Sequence, residues 1–197
     1  PSYESKLREL LQAATLVLNA LYRQNALCKS VTSKVKGITH PYLNVGEIHG
    51  GTNTNVVPGK VVLKLDRRMI PEENSAEVEA DIRRVITEAA ATRPGVSVDI
   101  RRLLMAHSLQ PLPGNQPLVD ALSKHGAAVF GEEIPVSGKP LYTDVRLYCE
   151  RGIPAVMYGA GPRTVPESNA KKADEKLALE DLRKATKVVA LTLLGVV

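Results

Sequence analysis

The chain has 197 residues, 44% hydrophobic and 24% charged, values of an ordinary globular protein that argue against disorder and allow one large or two small domains with real cores. Aromatics are scarce (no Trp, one Phe, six Tyr), so the core must be built from Ala, Val, Leu and Ile, and the stacking platforms of single-strand nucleic-acid binders are missing. The net charge is +5, but Lys and Arg alternate with acids, as in Glu72-Glu73, Glu77, Glu79 and Asp81 followed by Arg83-Arg84, so no nucleic-acid partner is expected.

Residues 4–24 read as an amphipathic helix, with Leu7, Leu10, Leu11, Ala14, Leu18 and Leu21 recurring at three- and four-residue steps. Residues 40–49 read as extended, with Tyr42, Val45 and Ile48 as apolar points, and Gly50-Gly51 with Asn53 and Asn55 as a turn-rich loop. Residues 56–68 read as a strand carrying Val61, Leu63 and Leu65 on one face and Lys60, Val62, Lys64 and Asp66 on the other. Pro71 stops it. Asn74 or Ser75 caps a helix that runs to about Thr92, with Glu77 and Glu79 in its first turn and Arg93-Pro94-Gly95 at its end. Residues 96–104 alternate Val96, Val98 and Ile100 with Ser97, Asp99 and Arg101, which predicts another strand.

This order, helix, strand, strand, helix, strand, is that of a ferredoxin-like two-layer sandwich short of one leading strand, which is expected upstream of Pro1. The absence of Met at Pro1 and a helical pattern still running at Val197 give the same expectation of a chain cut at both ends. A sheet covered on one face can use an edge to pair with a second subunit. Residues 107–116 are punctuated by Pro111, Pro113 and Gly114 and read as a linker, dividing the chain into domains 1–108 and 109–197. Beyond it come a helix at about 117–130, a short segment 134–137, a helix at about 144–151, a compact apolar strand 154–158, a long loop 159–175 and a last helix at about 179–194. That alternation suggests α/β layers with a mainly parallel sheet.

Cys28 and Cys149 form no CxxC pair and read as free thiols of a reducing compartment. The longest apolar stretch, Val188–Val197, is about half of the ~20 residues that span a bilayer, and no leader is visible, so a cytoplasmic protein with no membrane partner is expected.

Three segments could carry chemistry. In Gly50-Gly51-Thr52-Asn53-Thr54-Asn55-Val56-Val57-Pro58-Gly59, followed by Leu65-Asp66-Arg67-Arg68, the glycines let backbone approach a ligand, an Asn amide suits a carboxylate or carbonyl, and Arg68 could clamp a carboxylate. The same pattern also describes a plain hairpin turn with a solvated arginine. In Thr143-Asp144-Val145-Arg146, Asp144 stands where an ordinary helix N-cap would. Tyr158-Gly159-Ala160-Gly161-Pro162 leaves an apolar strand, the place where α/β folds bind ligands, though it is neither GxGxxG nor a P-loop. His40, His49, His107 and His125 contain no HxH or HExxH pair, no GxSxG elbow is present, and Cys149 has no His nearby in sequence.

Together these segments resemble the zinc-dependent aminoacylase, acetylornithine deacetylase, succinyl-diaminopimelate desuccinylase and carboxypeptidase G metallopeptidase family. The carriers are Gly51–Pro58 with Asp66-Arg67-Arg68, then Thr143–Arg146, Tyr158–Pro162 and Ala173-Asp174-Glu175. The resemblance covers nearly the whole chain. It implies an α/β fold, in which an α+β lid of ferredoxin-like type joins part of a three-layer α/β catalytic domain. It also implies a parent enzyme that cleaves the amide bond of N-acyl amino acids or small peptides, with zinc or another divalent metal, as a homodimer through the lid. Asn55 and Arg68 would hold the substrate's carboxylate or carbonyl. Thr143, Asp144 and Arg146 would lie at the catalytic rim, and Gly161 would offer backbone groups. The family's acids and its oxyanion-stabilising histidine find no counterpart here, and Lys171 stands where the last His metal ligand is usual, four positions before Glu175. A protonated lysine has no lone pair for a metal. This chain alone is therefore expected to be inactive and to hold no metal. The rival readings are a dimerising or ligand-binding module of the same fold that has lost its metal, and a small anion-binding module.

Overall fold

The computed structural model describes residues 3–139, 141–161 and 165–196. Pro162, and the side chains of Lys6, Leu7 and Arg8 on which the first helix was read, lie outside what is described. The chain divides into two compact units, one made of Pro1–Ser108 with Gly138–Pro140, the other of Leu109–Ser137 with Leu141–Val197.

In the first unit, α1 (Tyr3–Cys28) and α2 (Ser75–Ala91) cover one face of an antiparallel hairpin, β1 (Tyr42–Gly50) and β2 (Val61–Arg68). Of the described side chains in the stripe that predicts α1 only Leu21 is buried, and Leu11 is 49% exposed; the buried face is Ala13, Val17, Ala20 and Leu21. Val17 and Leu21 form a core with Leu43, Ile82, Ile86 and Ala90, against which Val45, Leu63, Leu65 and Ile100 pack. The helix runs four residues past its predicted end, to the buried Cys28. Asn74 caps α2 through its side-chain oxygen, which accepts from the amides of Ala76 at 2.9 Å and Glu77 at 3.3 Å.

Two predicted strands are corrected. β2 begins at Val61, not Val56, because residues 51–60 belong to the connecting loop. Residues 96–104 form no strand. Ile100 does pack on the core, but its carbonyl accepts from the Arg83 guanidinium at 2.9 Å and takes no part in a ladder.

The second unit is helical: α3 (Gln116–Phe130), α4 (Val145–Cys149), α5 (Val165–Ser168) and α6 (Leu179–Val196). α3 packs on α6, where Ala185, Val188 and Thr192 are buried. Gly126 of α3 lies so close to Ile134 that a Cβ would fall 1.9 Å from its Cδ1. Gly131 ends α3 at φ 78°, the left-handed stop that glycine suits. The predicted strand 154–158 is not formed, and the described residues of this unit hold no sheet. The apolar run is held instead by single bonds from its neighbours. Ile153 donates to Tyr148 O at 3.0 Å, and the Ala155 amide to Asn115 Oδ1 at 3.0 Å. The described residues make a mixed α/β protein with one small antiparallel sheet among them. No helix among the described residues is long and apolar enough to cross a membrane.

Candidate functional site

The hairpin sorts its side chains by a bulge. Pairing runs from Tyr42↔Arg68 to Gly50↔Val61, with an irregularity between Val45 and Glu47. The extra residue, Gly46, shifts the alternation of β1 by one. Val45 and Ile48 therefore share the core-side face with Leu63 and Leu65, while Tyr42, Asn44, Glu47 and His49 share the open face with Val62, Lys64, Asp66 and Arg68. That open face is a lattice of charges. Lys64 Nζ lies 2.8 Å and His49 Nε2 3.0 Å from the same oxygen of Glu47. The bond from Lys64, then that from His49, holds the Glu47 carboxyl below the usual range.

Adjacent arginines on β2 point to opposite faces. Arg67 turns inward beside Leu43 and meets Glu73 at 2.5 Å, with only 12% and 17% of the two side chains exposed. Glu73 also accepts from the Ile70 amide at 2.9 Å. Arg68 turns outward, more than half exposed, and its Nε donates to Asp66 at 2.6 Å. It is thus the arginine open to a ligand, which would compete with Asp66.

Asn55 is exposed on the loop 51–60, where Asn53 receives the Thr54 amide at 2.8 Å and Gly51 takes φ 82°. This loop returns to the sheet at Val61, seven residues or roughly 23 Å of strand from Arg68. The ladder therefore places Arg68 and the anchor of the Asn55 loop at opposite ends of the hairpin.

In the second unit, Arg146 is the best-held of the expected residues. Its guanidinium lies over the Tyr142 ring at 5.2 Å, donates to the Tyr142 hydroxyl at 2.9 Å and pairs with Glu150 at 3.2 Å. The Tyr142 bond, with Glu150 adding to it, raises the guanidinium above its ordinary value. Only 13% of this side chain is exposed, and its Nε is buried without a hydrogen-bond partner. Sequence reasoning missed Tyr142 and Glu150, although Arg146 and Glu150 stand at the i, i+4 spacing of helix neighbours. The expectation that Asp144 caps α4 is corrected: it occupies the N-cap position without a side-chain cap bond, and the Val145 amide reaches Thr143 Oγ1 at 3.4 Å. Gly161 takes φ 136°, a conformation that strains other residues. Before it, Tyr158, Gly159 and Ala160 line an open, mostly apolar groove of about 380 Å³ with Leu182, Ala185, Val189 and Leu193 of α6. Burial raises the Tyr158 phenol above its ordinary value.

The four histidines stay apart. His40 Nδ1 donates to Pro41 O at 2.8 Å, His107 meets Ser75 at 3.2 Å, His49 belongs to the hairpin lattice, and His125 is half-buried on α3. Lys171 is exposed at φ 66°, and its amide donates to Glu175 Oε2 at 2.8 Å. Asn169, at φ 55°, donates to Asp174. The acids of this loop thus close the loop on itself.

Residues 6–94 match the family model of the peptidase dimerisation domain of M20 type. The uncharacterized protein YqjE of Bacillus subtilis is 31% identical over 150 residues, which cover 74% of this chain and 37% of YqjE. A succinyl-diaminopimelate desuccinylase of Magnetococcus marinus is 29% identical over 139 residues, 71% of this chain and 33% of that protein. An indole-3-acetyl-aspartic acid hydrolase of Enterobacter agglomerans is 38% identical over 91 residues, 46% of this chain and 20% of that protein. Among solved structures, YxeP of Bacillus subtilis, a dinuclear metal-binding peptidase from the M20 family, superposes on 94% of this chain with TM-score 0.65 at 22% identity, using 46% of its own length. The M20 metallo-carboxypeptidase Sso-CP2 of Sulfolobus solfataricus gives 98% coverage, TM-score 0.56, 21% identity and 45% of its length. At those identities the structures establish the fold alone. The chain spans less than half the length of each of these relatives.

A metal does not fit the residues present. Among the described residues no three His, Cys, Asp or Glu side chains come together to hold one. The loop that resembles a ligand-bearing loop presents an ammonium at Lys171 and uses Glu175 as a backbone acceptor.

Proposed function

We propose that the chain is the lid and the C-terminal part of the catalytic domain, divided near residue 108, of a metal-dependent hydrolase that cleaves an amide bond in N-acyl amino acids or small peptides. The observation that carries this reading is the dimerisation-domain match over residues 6–94, joined to hydrolases among the relatives. The parent would be a cytoplasmic homodimer through the lid, dependent on zinc or another divalent metal held by residues outside this chain. Neither a nucleic acid nor a membrane enters the proposal. The rival of a metal-free binding module gains nothing from relatives that carry hydrolase names.

Arg68 is proposed to grip the substrate's carboxylate by exchanging Asp66 for it, and Asn55 to meet a carbonyl or carboxylate from its own loop. The hairpin geometry argues that these are two separate contacts and not one clamp. Thr143, Asp144 and Arg146 are proposed as rim residues, with Arg146 shaping the rim through Tyr142 and Glu150. Gly161 is proposed to present backbone to the substrate. The test is hydrolysis of N-acetyl and N-succinyl amino acids by the full-length parent, with and without chelator. Arg68→Ala should raise KM about tenfold or more for substrates with a free α-carboxylate and leave their methyl esters unaffected. An equal effect on acid and ester would remove Arg68 from carboxylate binding. Chelator-insensitive hydrolysis would remove the metal, and no hydrolysis of any amide would return the module reading.

A further inference from the structure

Asn115 immediately precedes α3, at the end of the turn Pro113–Asn115. Its backbone is helical (φ −73°, ψ −23°), and the turn Pro113–Asn115, entered from the extended Leu112, runs straight into α3, so its side chain is not placed to cap the helix and makes no cap bond. Its Oδ1 accepts from the Ala155 amide, 40 residues away, at 3.0 Å, and the residue is only 7% exposed. The neighbouring backbone takes part as well. Gly114 lies so close to Pro154 that a Cβ would sit 2.7 Å from its Cγ. On the other side, Ile153 donates to Tyr148 O at 3.0 Å and Cys149 Sγ lies 4.0 Å from Ala155 O. Residues 153–155 are therefore gripped between the turn before α3 and the end of α4. Beyond this grip lies the segment Tyr158–Gly161, with its groove against α6 and its positive-φ glycine.

We propose that Asn115 is a positioning residue for the Tyr158–Gly161 loop: its side-chain oxygen holds the Ala155 amide and so fixes the level at which the loop leaves toward the groove. The bond is part-buried, so loss of the acceptor leaves a partly desolvated N–H and a reason for residues 155–158 to shift. An aspartate at the same place keeps an acceptor oxygen, while a leucine of similar volume has none. The effect on catalysis rests on the proposed role of Gly161; the effect on the loop does not.

Two readouts separate these. The first needs only this chain: the alkaline titration of Tyr158, followed by phenolate absorbance as the difference between each protein and its Tyr158→Phe partner. Asn115→Leu should lower the titration point toward that of an ordinary tyrosine as the loop loosens and the phenol hydrates, and Asn115→Asp should stay near the parent value. Gly114→Ala, which pushes on Pro154 with Asn115 intact, should shift Tyr158 in the same direction and covers the case in which Asn115→Leu does not fold. The second readout is kcat/KM of the full-length parent well below its melting temperature. A loss of about tenfold in Asn115→Leu, largely recovered by Asn115→Asp, is expected. If Tyr158 titrates unchanged in Asn115→Leu and Gly114→Ala, the positioning role is overturned. If Tyr158 shifts while kcat/KM holds, the positioning role stands and the assignment of the loop to substrate falls.

Discussion

Glu73→Ala isolates the ion pair that anchors the inward arginine of β2. The pair Arg67–Glu73 is closed at 2.5 Å with about one-eighth and one-sixth of its side chains exposed, and Glu73 also accepts the Ile70 amide. Removing the carboxylate leaves a largely buried guanidinium with the Arg68 carbonyl as its remaining named partner, and leaves the Ile70 amide without its acceptor. Breaking a fully buried pair costs about 3–5 kcal/mol. Partial exposure moves this one to the lower end, about 3 kcal/mol with the lost amide bond included. With a urea slope of about 1.5 kcal/mol per molar for a unit of this size, the midpoint should fall by roughly 2 M. A chain of two compact units need not unfold in a single step, so each unit requires its own probe. The two buried cysteines solve this, since Cys28 belongs to the first unit and Cys149 to the second. Pulsed alkylation along a urea series, read by peptide mass, should move the Cys28 midpoint and leave that of Cys149 in place. A double variant, Arg67→Met with Glu73→Leu, should restore most of the loss, because an apolar pair carries no desolvation penalty. A Cys28 midpoint within about 0.3 M of wild type in Glu73→Ala, small against the shift predicted from that slope, would refute the reasoning.

The same alkylation assay serves two further variants. Asn74→Ala removes the acceptor of the Ala76 and Glu77 amides and should lower first-unit stability by about 1 kcal/mol. Gly126→Ala forces a methyl onto Ile134 and should cost about 1–3 kcal/mol in the second unit, with relief when Ile134→Ala is added. A pH series gives the last prediction. Burial raises the Cys28 thiol above 9.0, with Arg67 opposing it. The unfolded chain therefore loses this proton before the folded one does. Stability should be level below about pH 9 and fall as pH rises from there toward the folded value. Cys28→Ala should remove that alkaline decline, and an identical decline in the variant would assign it to another group.

What was legible in the sequence was whatever is settled locally. Asn74 and the acids behind it announce α2 because a cap and its first turn lie within four residues of each other. The failures at 96–104 and 154–158 are alike in one respect. Ile100 does pack on the core, as its alternation promised. Alternation reports which side chains are covered, whereas a strand also requires a second chain segment to bond with. In each segment one backbone group that a ladder could use is taken by a side chain: the Ile100 carbonyl by Arg83 and the Ala155 amide by Asn115. A side chain that reaches 17 or 40 residues along the sequence leaves no periodic trace.

The hairpin shows the opposite case, in which the trace was present and needed a physical rule to interpret it. Val45 and Ile48 stand three apart, a spacing that suits neither face of a regular strand. The bulge at Gly46 is what brings both onto the core-side face and sends Glu47 and His49 to the other. Likewise the alternation Val61, Leu63, Leu65 continues to Arg67, so the sequence already points Arg67 inward and Arg68 outward once β2 is taken to its end. An inward arginine requires a buried partner, and Glu73 is in reach because the turn at Ile70–Glu73 folds back with a backbone bond of 3.1 Å. Alternation thus sends Arg68, the residue proposed to meet a carboxylate, outward, and the Arg67–Glu73 pair anchors the strand end beside it. The Glu73→Ala variant therefore tests the presentation of the site as much as the stability of the unit. If Arg67 loses its anchor, the strand end can twist, and carboxylate recognition by Arg68 should weaken in step with the Cys28 midpoint.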